Sequence, residues 1–491
     1  MPRRRLRAPR PFLAALAASV AVLAAAQPAA AARDADVSIM DDQLLLGATA
    51  DQIDGHMSRI QALGVDRLRV SAFWAHHAPS ASSTVKPAGF DGSNPADPRY
   101  IWNDLDRVAV SARKHGIPLL ISVTMPAPFW GTADPSQRNW VLYPVAAEFA
   151  AYARAVASRY RGFADQYAIS NEPNQPGWLQ PQTDGKGAAA PHHYRDMVLA
   201  AYPALKQADP SAKVLVGELS SSGSSKRGPR KTTRPLSFLR SMGCVSRRYG
   251  NVRSGRCAGF QGITADAIGH HPYSLFTAPN TRSRNRDDAA IGDRRRLLSA
   301  LDRLTKKRAV VPSEGKRLDV HFTEFGYQTD PPDPFAGVTL KRQDRWLQDA
   351  AFLTWRTKRI KQFTQFRLTD GAINKAQGLA GFKEFQSGLL FRDFRPKPAF
   401  RSFQDPFAAS TTRPRRGSRV LFWGQVRPGG RHTVSLEFRR GNDDFKRLAS
   451  VETDARGYFS RRLEARSGTY RYTYADDAAS GGSSRIGVRV R

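Results

Sequence analysis

Residues 166–174 read Gln166-Tyr167-Ala168-Ile169-Ser170-Asn171-Glu172-Pro173-Asn174, a short β-type run that stops in polar residues and a proline. Proline has no N–H to give to a strand ladder and biases the residue before it away from helix, so the strand ends with Asn171 and Glu172 at its C-terminal edge. Working outward, the same grammar recurs. Strand candidates begin at Leu44 (LLLGAT), Arg67 (RLRVSAF), Pro118 (PLLISVT), Gln166 (QYAISN), Lys213 (KVLVGE), Ala265 (ADAIGHH), Leu318 (LDVHFTE) and Gln362 (QFTQFRL). Between them lie amphipathic segments: Ile53, Met57 and Ile60; Trp102, Leu105, Val108 and Ala112; Phe149, Tyr152 and Val156; Leu297, Leu298, Leu301 and Leu304. Spacings of three and four put one apolar stripe on each helix, and parallel strands joined by crossover helices bury such a pattern economically. Eight rounds predict a closed (β/α)8 barrel, the TIM-barrel architecture, over residues 33–410. A doubly wound open sheet is the alternative that the same alternation admits.

After Lys397-Pro398-Ala399-Phe400 the pattern changes. Residues 411–418 (TTRPRRGS) read as a charged linker, and residues 419–491 as a small all-β sandwich. Its strands show in the alternation of Val434, Leu436 and Phe438, of Tyr470, Tyr472 and Tyr474, and of Ile486, Val488 and Val490. A linker there predicts that removing Arg419–Arg491 leaves a folded barrel. From residue 410 onward 18 Lys/Arg stand against 8 Asp/Glu, a net +10 that suits an anionic cell envelope as readily as a solvated, stabilising appendage.

The whole chain of 491 residues is 41% hydrophobic, too apolar for disorder and long enough for a large domain with an appendage. Lys+Arg 76 against Asp+Glu 43 leaves +33, but 59 of the cations are Arg spread along the chain beside abundant Ala. That distribution argues composition rather than a nucleic-acid face, and no nucleic-acid partner is expected. Two Cys exclude a disulfide scaffold and a multi-Cys zinc module. No apolar run after residue 40 is long enough to span a bilayer. Arginines at 3, 4, 5, 7 and 10, the Ala/Val/Leu stretch Phe12–Ala26 and Ala30-Ala31-Ala32 read as a signal peptide over residues 1–32, a retained membrane anchor being the alternative. Export to an oxidising compartment predicts a Cys244–Cys257 disulfide rather than two free thiols. Between Glu218 and Asp266 there is no acidic residue but ten Lys/Arg, a basic excursion read as a solvated loop with an acidic polysaccharide as its alternative occupant.

In a closed parallel barrel reactive side chains sit where strands end, and two strand candidates, the fourth and the seventh, end in Glu172 and Glu324. Glycoside hydrolysis needs two carboxyl groups flanking one bond, one protonated to release the leaving group and one ionised to meet the oxocarbenium-like centre. Trp74, Trp130, Trp140 and Trp178 fall in loops after strands two to four, where indole faces would stack on sugar rings; Trp130 and Trp178 are the substrate-binding candidates. Trp102, Trp346 and Trp355 read instead as packing between barrel and helices. Neither metal nor organic cofactor is expected.

These residues resemble the clan A glycoside hydrolases, the retaining (β/α)8 enzymes that include cellulases, mannanases, β-xylosidases and β-glucosidases. The resemblance covers about residues 44–403, and its most specific elements are Asn171-Glu172-Pro173 and Thr323-Glu324-Phe325-Gly326. It implies that Glu172 is the acid/base, Glu324 the nucleophile, and Asn171 a hydrogen-bonding partner of the sugar 2-hydroxyl. Arg69 looks like the strand-two arginine that orients the nucleophile, and His271 with Tyr273 like the clan's His/Tyr position beside the site. Ser387–Phe400 resembles the clan's usual barrel ending. The chain departs from the pattern at strand eight, where Phe366 stands in place of the Trp that usually floors the sugar site and Arg367 follows. It departs again at Thr124-Met125-Pro126, where many relatives carry a His. The expected function is a secreted retaining glycosidase of β-linked poly- or oligosaccharides, the alternative being a noncatalytic carbohydrate- or envelope-binding barrel.

Overall fold

The structure is a computed structural model that describes residues 34–475 and 480–491. The expected signal peptide lies outside the described residues. Eight parallel strands close into one barrel: β1 Asp36–Met40, β2 Arg67–Phe73, β3 Leu119–Thr124, β4 Ala164–Ile169, β5 Lys213–Ser220, β6 Ala267–His271, β7 Asp319–Phe325 and β8 Ile360–Phe366. Closure is made by β1 pairing with β8 from Asp36↔Gln362 to Met40↔Phe366. A helix of seven residues or more follows each strand: α1 Ala50–Ala62, α2 Asn103–Lys114, α3 Ala146–Tyr160, α4 Ala190–Ala208, α5 Pro235–Met242, α6 Arg294–Lys306, α7 Leu340–Trp355 and α8 Pro398–Gln404. The stripes carry the packing: Ile53, Met57 and Ile60 of α1, Leu105 and Val108 of α2, and Leu297, Leu301 and Leu304 of α6 are all buried in one core. Thr49 starts α1 with a capping box shared with Gln52. The closed barrel settles the choice against an open sheet.

The first strand is not the expected LLLGAT. Leu44 and Leu45 belong to a single helical turn, Asp42–Leu45, and Gly47 follows with φ +85. A barrel strand needs a partner on each side, and Ser38–Met40 find them in Arg67–Arg69 and in β8. The apolar leucines instead cap the barrel-helix core, which periodicity over six residues cannot distinguish from a buried strand.

The C-terminal unit is a sandwich of two antiparallel sheets. Strands β9 Phe407–Ala409, β10 Arg419–Gln425 and β13 Tyr458–Glu464 form one; β11 Thr433–Arg439, β12 Lys446–Glu452, β14 Gly468–Ala475, β15 Ser480–Gly482 and β16 Ile486–Val488 form the other. Val434, Leu436, Tyr470, Tyr472, Ile486 and Val488 face inward between them. The expected linker and boundary need correction. Phe407–Ala409, placed in the barrel by sequence, pairs with Phe422–Gly424 across the 411–418 stretch. That stretch is itself tied to the C-terminus, Arg489 N donating to Thr412 O at 2.9 Å and Arg491 N to Pro414 O at 2.9 Å. It is a loop inside the sheet, and the unit begins near residue 407.

Nor is the unit an appendage. Phe352 and Trp355 of α7 share a core with Leu421, Trp423 and Tyr458. Arg456 reaches Asp36 at 3.1 Å and Asp66 at 2.8 Å, at the N-terminal ends of β1 and β2. A Cβ on Gly64 would come within 2.7 Å of Pro428 Cα, so the bare glycine admits the sandwich backbone. The sandwich therefore packs on α7, on the end of α1 and on the N-terminal ends of β1 and β2, away from the strand ends that carry Glu172 and Glu324. Removal of Arg419–Arg491 should expose Phe352 and Trp355 and cost the chain its soluble, cooperatively unfolding state. Trp423→Ala should lower stability by about 3–5 kcal/mol. Chemical denaturation checks both; a monomeric truncated barrel with unchanged midpoint would contradict them.

Candidate active site

Backbone geometry at the strand ends aims the side chains. Ser170 (φ 64) and Glu172 (φ 37), just past β4, and Glu218 (φ 49) within β5 occupy the left-handed region, where non-glycine residues are uncommon and collect at functional sites. Glu172 is held there by its N–H to Glu218 O at 3.0 Å, and Asn171 by its N–H to Thr124 Oγ1 at 2.9 Å. The pairing of β5 with β6 slips between Gly217 and Leu219, a β-bulge that turns Glu218 inward. Gly269 on β6 makes room for it, since a Cβ there would meet Glu218 Oε1 at 2.0 Å.

Arg69, from the middle of β2, has no solvent exposure. Its guanidinium donates to Glu324 Oε1 at 2.8 Å, to Glu218 Oε2 at 2.7 Å and to Asn171 Oδ1 at 2.8 Å. Because a guanidinium only donates, Asn171 must turn its carbonyl oxygen to Arg69, which leaves its NH2 free for the cleft that Asn171 lines. Glu324 Oε2 accepts from Tyr273 Oη at 2.9 Å. His271 is the second buried cation: Nδ1 lies 2.9 Å from Glu172 Oε1 and 3.5 Å from Glu324 Oε2, and Nε2 3.4 Å from Glu218 Oε2. Thr323 Oγ1 donates to Glu218 Oε1 at 2.6 Å. Gln175 donates to Glu172 Oε2. The arrangement brings carboxylate oxygens of Glu172 and Glu324 within 4.8 Å of each other.

Charge follows from this geometry. Burial alone would raise Glu218, but Arg69 and His271 overrule it and bring it down to about 2. Burial would neutralise His271, yet Glu324, Glu172 and Glu218 around it raise it to about 10, so the ring is an imidazolium at neutral pH. Glu172 is raised by burial, with the charge of Glu324 acting in the same direction against the pull of His271. Glu172 thus has the environment of an acid, while the two oxygens of Glu324 accept hydrogen bonds from Arg69 and Tyr273.

A cleft of about 610 Å³ opens above the pair, and Asn171, Glu172, Trp178, Tyr273, Glu324 and Phe366 all line it. Arg69 and His271 lie beneath, touching the glutamates but not the cleft wall. Trp130 is misplaced by the sequence reading. It is buried, donates Nε1–H to Pro79 O at 3.0 Å, and packs edge-on to Trp74 in an aromatic cluster with Phe90. Trp74 is buried in the same cluster and Trp140 packs on Phe129, so of the four loop tryptophans Trp178 alone lines the cleft. Arg367 borders the cleft, but its charge is engaged by Asp41 at 3.3 Å and by Gln43 at 2.5 Å. Glu218 is the functional residue that sequence reasoning passed over, although it closes the fifth strand candidate. In the basic excursion Arg234, Arg240 and Arg256 form ion pairs with Asp288, Asp287 and Asp184, while Lys226, Arg227, Arg230 and Lys231 are solvated. Cys244 and Cys257 form a disulfide with Cα atoms 5.6 Å apart.

Glu172, His271 and Glu324 also have the mutual spacing of cation ligands.

No family model matches the chain, and no curated protein matches it. Among solved structures it is similar to xylanase B from Clostridium stercorarium F9, at 15% identity, 75% of this chain, 96% of that chain and a TM-score of 0.42. It is similar also to an exo-β-1,4-mannosidase from Opitutaceae bacterium strain TAV5, at 14% identity, 76% of this chain, 60% of that chain and a TM-score of 0.42. A third is β-glucuronidase 3 of Bacteroides uniformis, at 9% identity, 93% of this chain, 49% of that chain and a TM-score of 0.41.

Glu218→Gln removes the anion shared by Arg69 and His271 and should cost on the order of 3 kcal/mol at pH 7, as expected when one partner of a buried ion pair is removed. A carboxylate lowered to about 2 contributes stability that is full above its unfolded pKa and is lost as pH falls through 2. The gap between wild type and variant should therefore close on acidification, which denaturation at pH 7, 4.5 and 2.5 measures. A gap independent of pH would contradict the assignment.

Proposed function

We propose that the chain is an exported retaining glycosidase of β-linked O-glycosides, with Glu172 as acid/base and Glu324 as nucleophile. The observation that carries this reading is that one oxygen of each carboxylate comes within 4.8 Å of the other, Glu172 beside His271 and Glu324 between Arg69 and Tyr273. Carboxyl groups about 5 to 5.5 Å apart suit direct attack on the anomeric carbon, whereas about 6.5 to 9.5 Å would leave room for a water and inversion.

In the first step Glu172 gives its proton to the glycosidic oxygen as the C–O bond breaks, and a Glu324 oxygen bonds to the anomeric carbon. Arg69 and Tyr273 hold that carboxylate in place for attack. The ester so formed is uncharged, which removes the Glu324 charge that helped to raise Glu172. Glu172 is then the better base. It takes a proton from water as that water attacks the anomeric carbon and the ester bond breaks, restoring both residues with net retention. Asn171 NH2 is positioned for a sugar hydroxyl, and Trp178 and Phe366 offer ring faces. The N-terminal reading and the Cys244–Cys257 disulfide support export.

A panel of aryl β-glycosides tests the activity, and variants test the roles. Glu324→Ala should abolish turnover, with azide restoring part of it as a glycosyl azide of inverted configuration. Glu172→Ala should slow poor leaving groups by roughly 10²–10⁴-fold and activated ones far less, azide now giving retained configuration. Because Glu172 must be protonated for the first step, kcat/KM should fall as pH rises through its raised pKa, and that alkaline limb should vanish in Glu172→Ala. Unchanged rates in either variant would overturn the assignment, and binding of sugars without turnover by the wild type would point to a noncatalytic carbohydrate-binding barrel.

A further inference from the structure

The cleft has two unlike walls. The loops after β1, β4 and β5 contribute Asp42, Gln43, Gln175 and the serines 220–222. The wall formed by β6, β7, β8 and their loops carries an apolar strip that runs from the glutamates to the mouth, with Gln328, Arg367, Lys383 and Glu384 beside it. Tyr273, bonded to Glu324, packs edge-on to Phe366 with centroids 6.3 Å apart, and Phe366 edge-on to Phe385 at 5.4 Å. Leu275 and Phe276 follow Tyr273 into the same cleft.

At the mouth this strip stays apolar beside the charged Lys383 and Glu384. Leu275 and Phe276 are each 56% exposed and Phe385 50%, all three lining the cleft, and Phe335, 53% exposed, adjoins the cleft-lining Ala336. Three of the four phenylalanines among the exposed large apolar side chains of the described residues thus sit on the loops that close one side of one cleft. Scattered exposed leucines are ordinary, but a cluster continuous with a binding cleft marks what the cleft binds. A polysaccharide crossing this rim would present hydroxyls all around each ring. Leu275 offers no flat face for a sugar, and neither it nor Phe276 and Phe385 can hydrogen-bond a hydroxyl, so this strip suits a group with few hydroxyls to satisfy. The glutamates lie at the floor, so the sugar goes down and the group it is attached to emerges along the rim.

We infer that the substrate is an amphiphilic glycoside, its sugar at Glu172 and Glu324 and an apolar aglycone along Leu275, Phe276 and Phe385. This rests on the glycosidase reading and narrows its substrate class from oligosaccharides to glycosides of alkyl, aryl or isoprenoid alcohols. Hydrolysis proceeds as above, the alcohol leaving with the proton from Glu172.

The test is a series of methyl, hexyl and octyl β-glycosides of the sugar that the aryl panel selects, kept below micelle formation. Each methylene that is fully buried is worth about fourfold in affinity. KM should therefore fall at least tenfold from methyl to octyl, and octyl glycosides should outcompete oligosaccharides of the same sugar. The double variant Phe276→Ser, Phe385→Ser should flatten that dependence; both side chains are half-exposed and their loss leaves the core intact. A KM independent of chain length, or a preference for the oligosaccharide, would overturn the inference while leaving the glycosidase reading standing. If the panel shows no turnover, that reading fails instead, and calorimetry of Glu324→Gln with octyl and methyl β-D-glucoside decides the rim alone. Octyl binding at least tenfold tighter than methyl sustains it, and equal or absent binding overturns it.

Discussion

Arg69 is a guanidinium with no route to water, and the rest of the site can be understood as the answer to that charge. An unpaired buried cation would be prohibitively costly, and Arg69 is matched by two carboxylates and an amide oxygen brought from β4, β5 and β7. Each partner is thereby fixed in position and protonation. Glu324 is aligned with its second oxygen toward Tyr273, Asn171 is turned amide-outward, and Glu218 is kept ionised where burial would neutralise it. Glu218 in turn helps to hold His271 as a cation between the two glutamates of the cleft. The contrast between a Glu172 raised by burial and a Glu324 bonded by Arg69 and Tyr273 is a property of this network rather than of either residue.

The same economy explains the division of labour between the two ends of the barrel. The sandwich packs on α7 through Trp423 and on the N-terminal ends of β1 and β2 through Arg456, so the strands are anchored where nothing has to move. The C-terminal ends then carry the unusual backbone of Ser170, Glu172 and Glu218. Strain of that kind persists only where the surroundings over-determine it, which a barrel packed on all sides provides.

Much of this was legible in the sequence. Strands two to eight were placed to within two residues, because parallel buried strands followed by amphipathic helices leave a strong periodic signal. The glutamates of β4 and β7 stood out because the ends of barrel strands are where chemistry sits. What was missed is non-local. Nothing in Gly217-Glu218 says that the strand bulges there, or that Gly269, fifty residues on, leaves space for the carboxylate. Trp130 and Trp178 look alike as loop tryptophans, and only the neighbours Trp74 and Phe90 decide that one packs inward. Phe407–Ala409 reads as the end of a barrel until Phe422–Gly424 is seen beside it. The run at Leu44 reads as a strand because three consecutive leucines serve a buried turn as well as a strand.

The central claim is that Glu324 becomes covalently bonded to the sugar. A 2-deoxy-2-fluoro glycoside with an activated leaving group tests it directly, because the fluorine destabilises the oxocarbenium-like transition states while the good leaving group keeps the first step accessible. The account predicts time-dependent inactivation and a mass increase of one fluorosugar on the peptide that contains Glu324, absent in Glu324→Gln. A label on any other residue, or an enzyme that turns over β-glycosides yet is never labelled and releases the inverted sugar first, would contradict it.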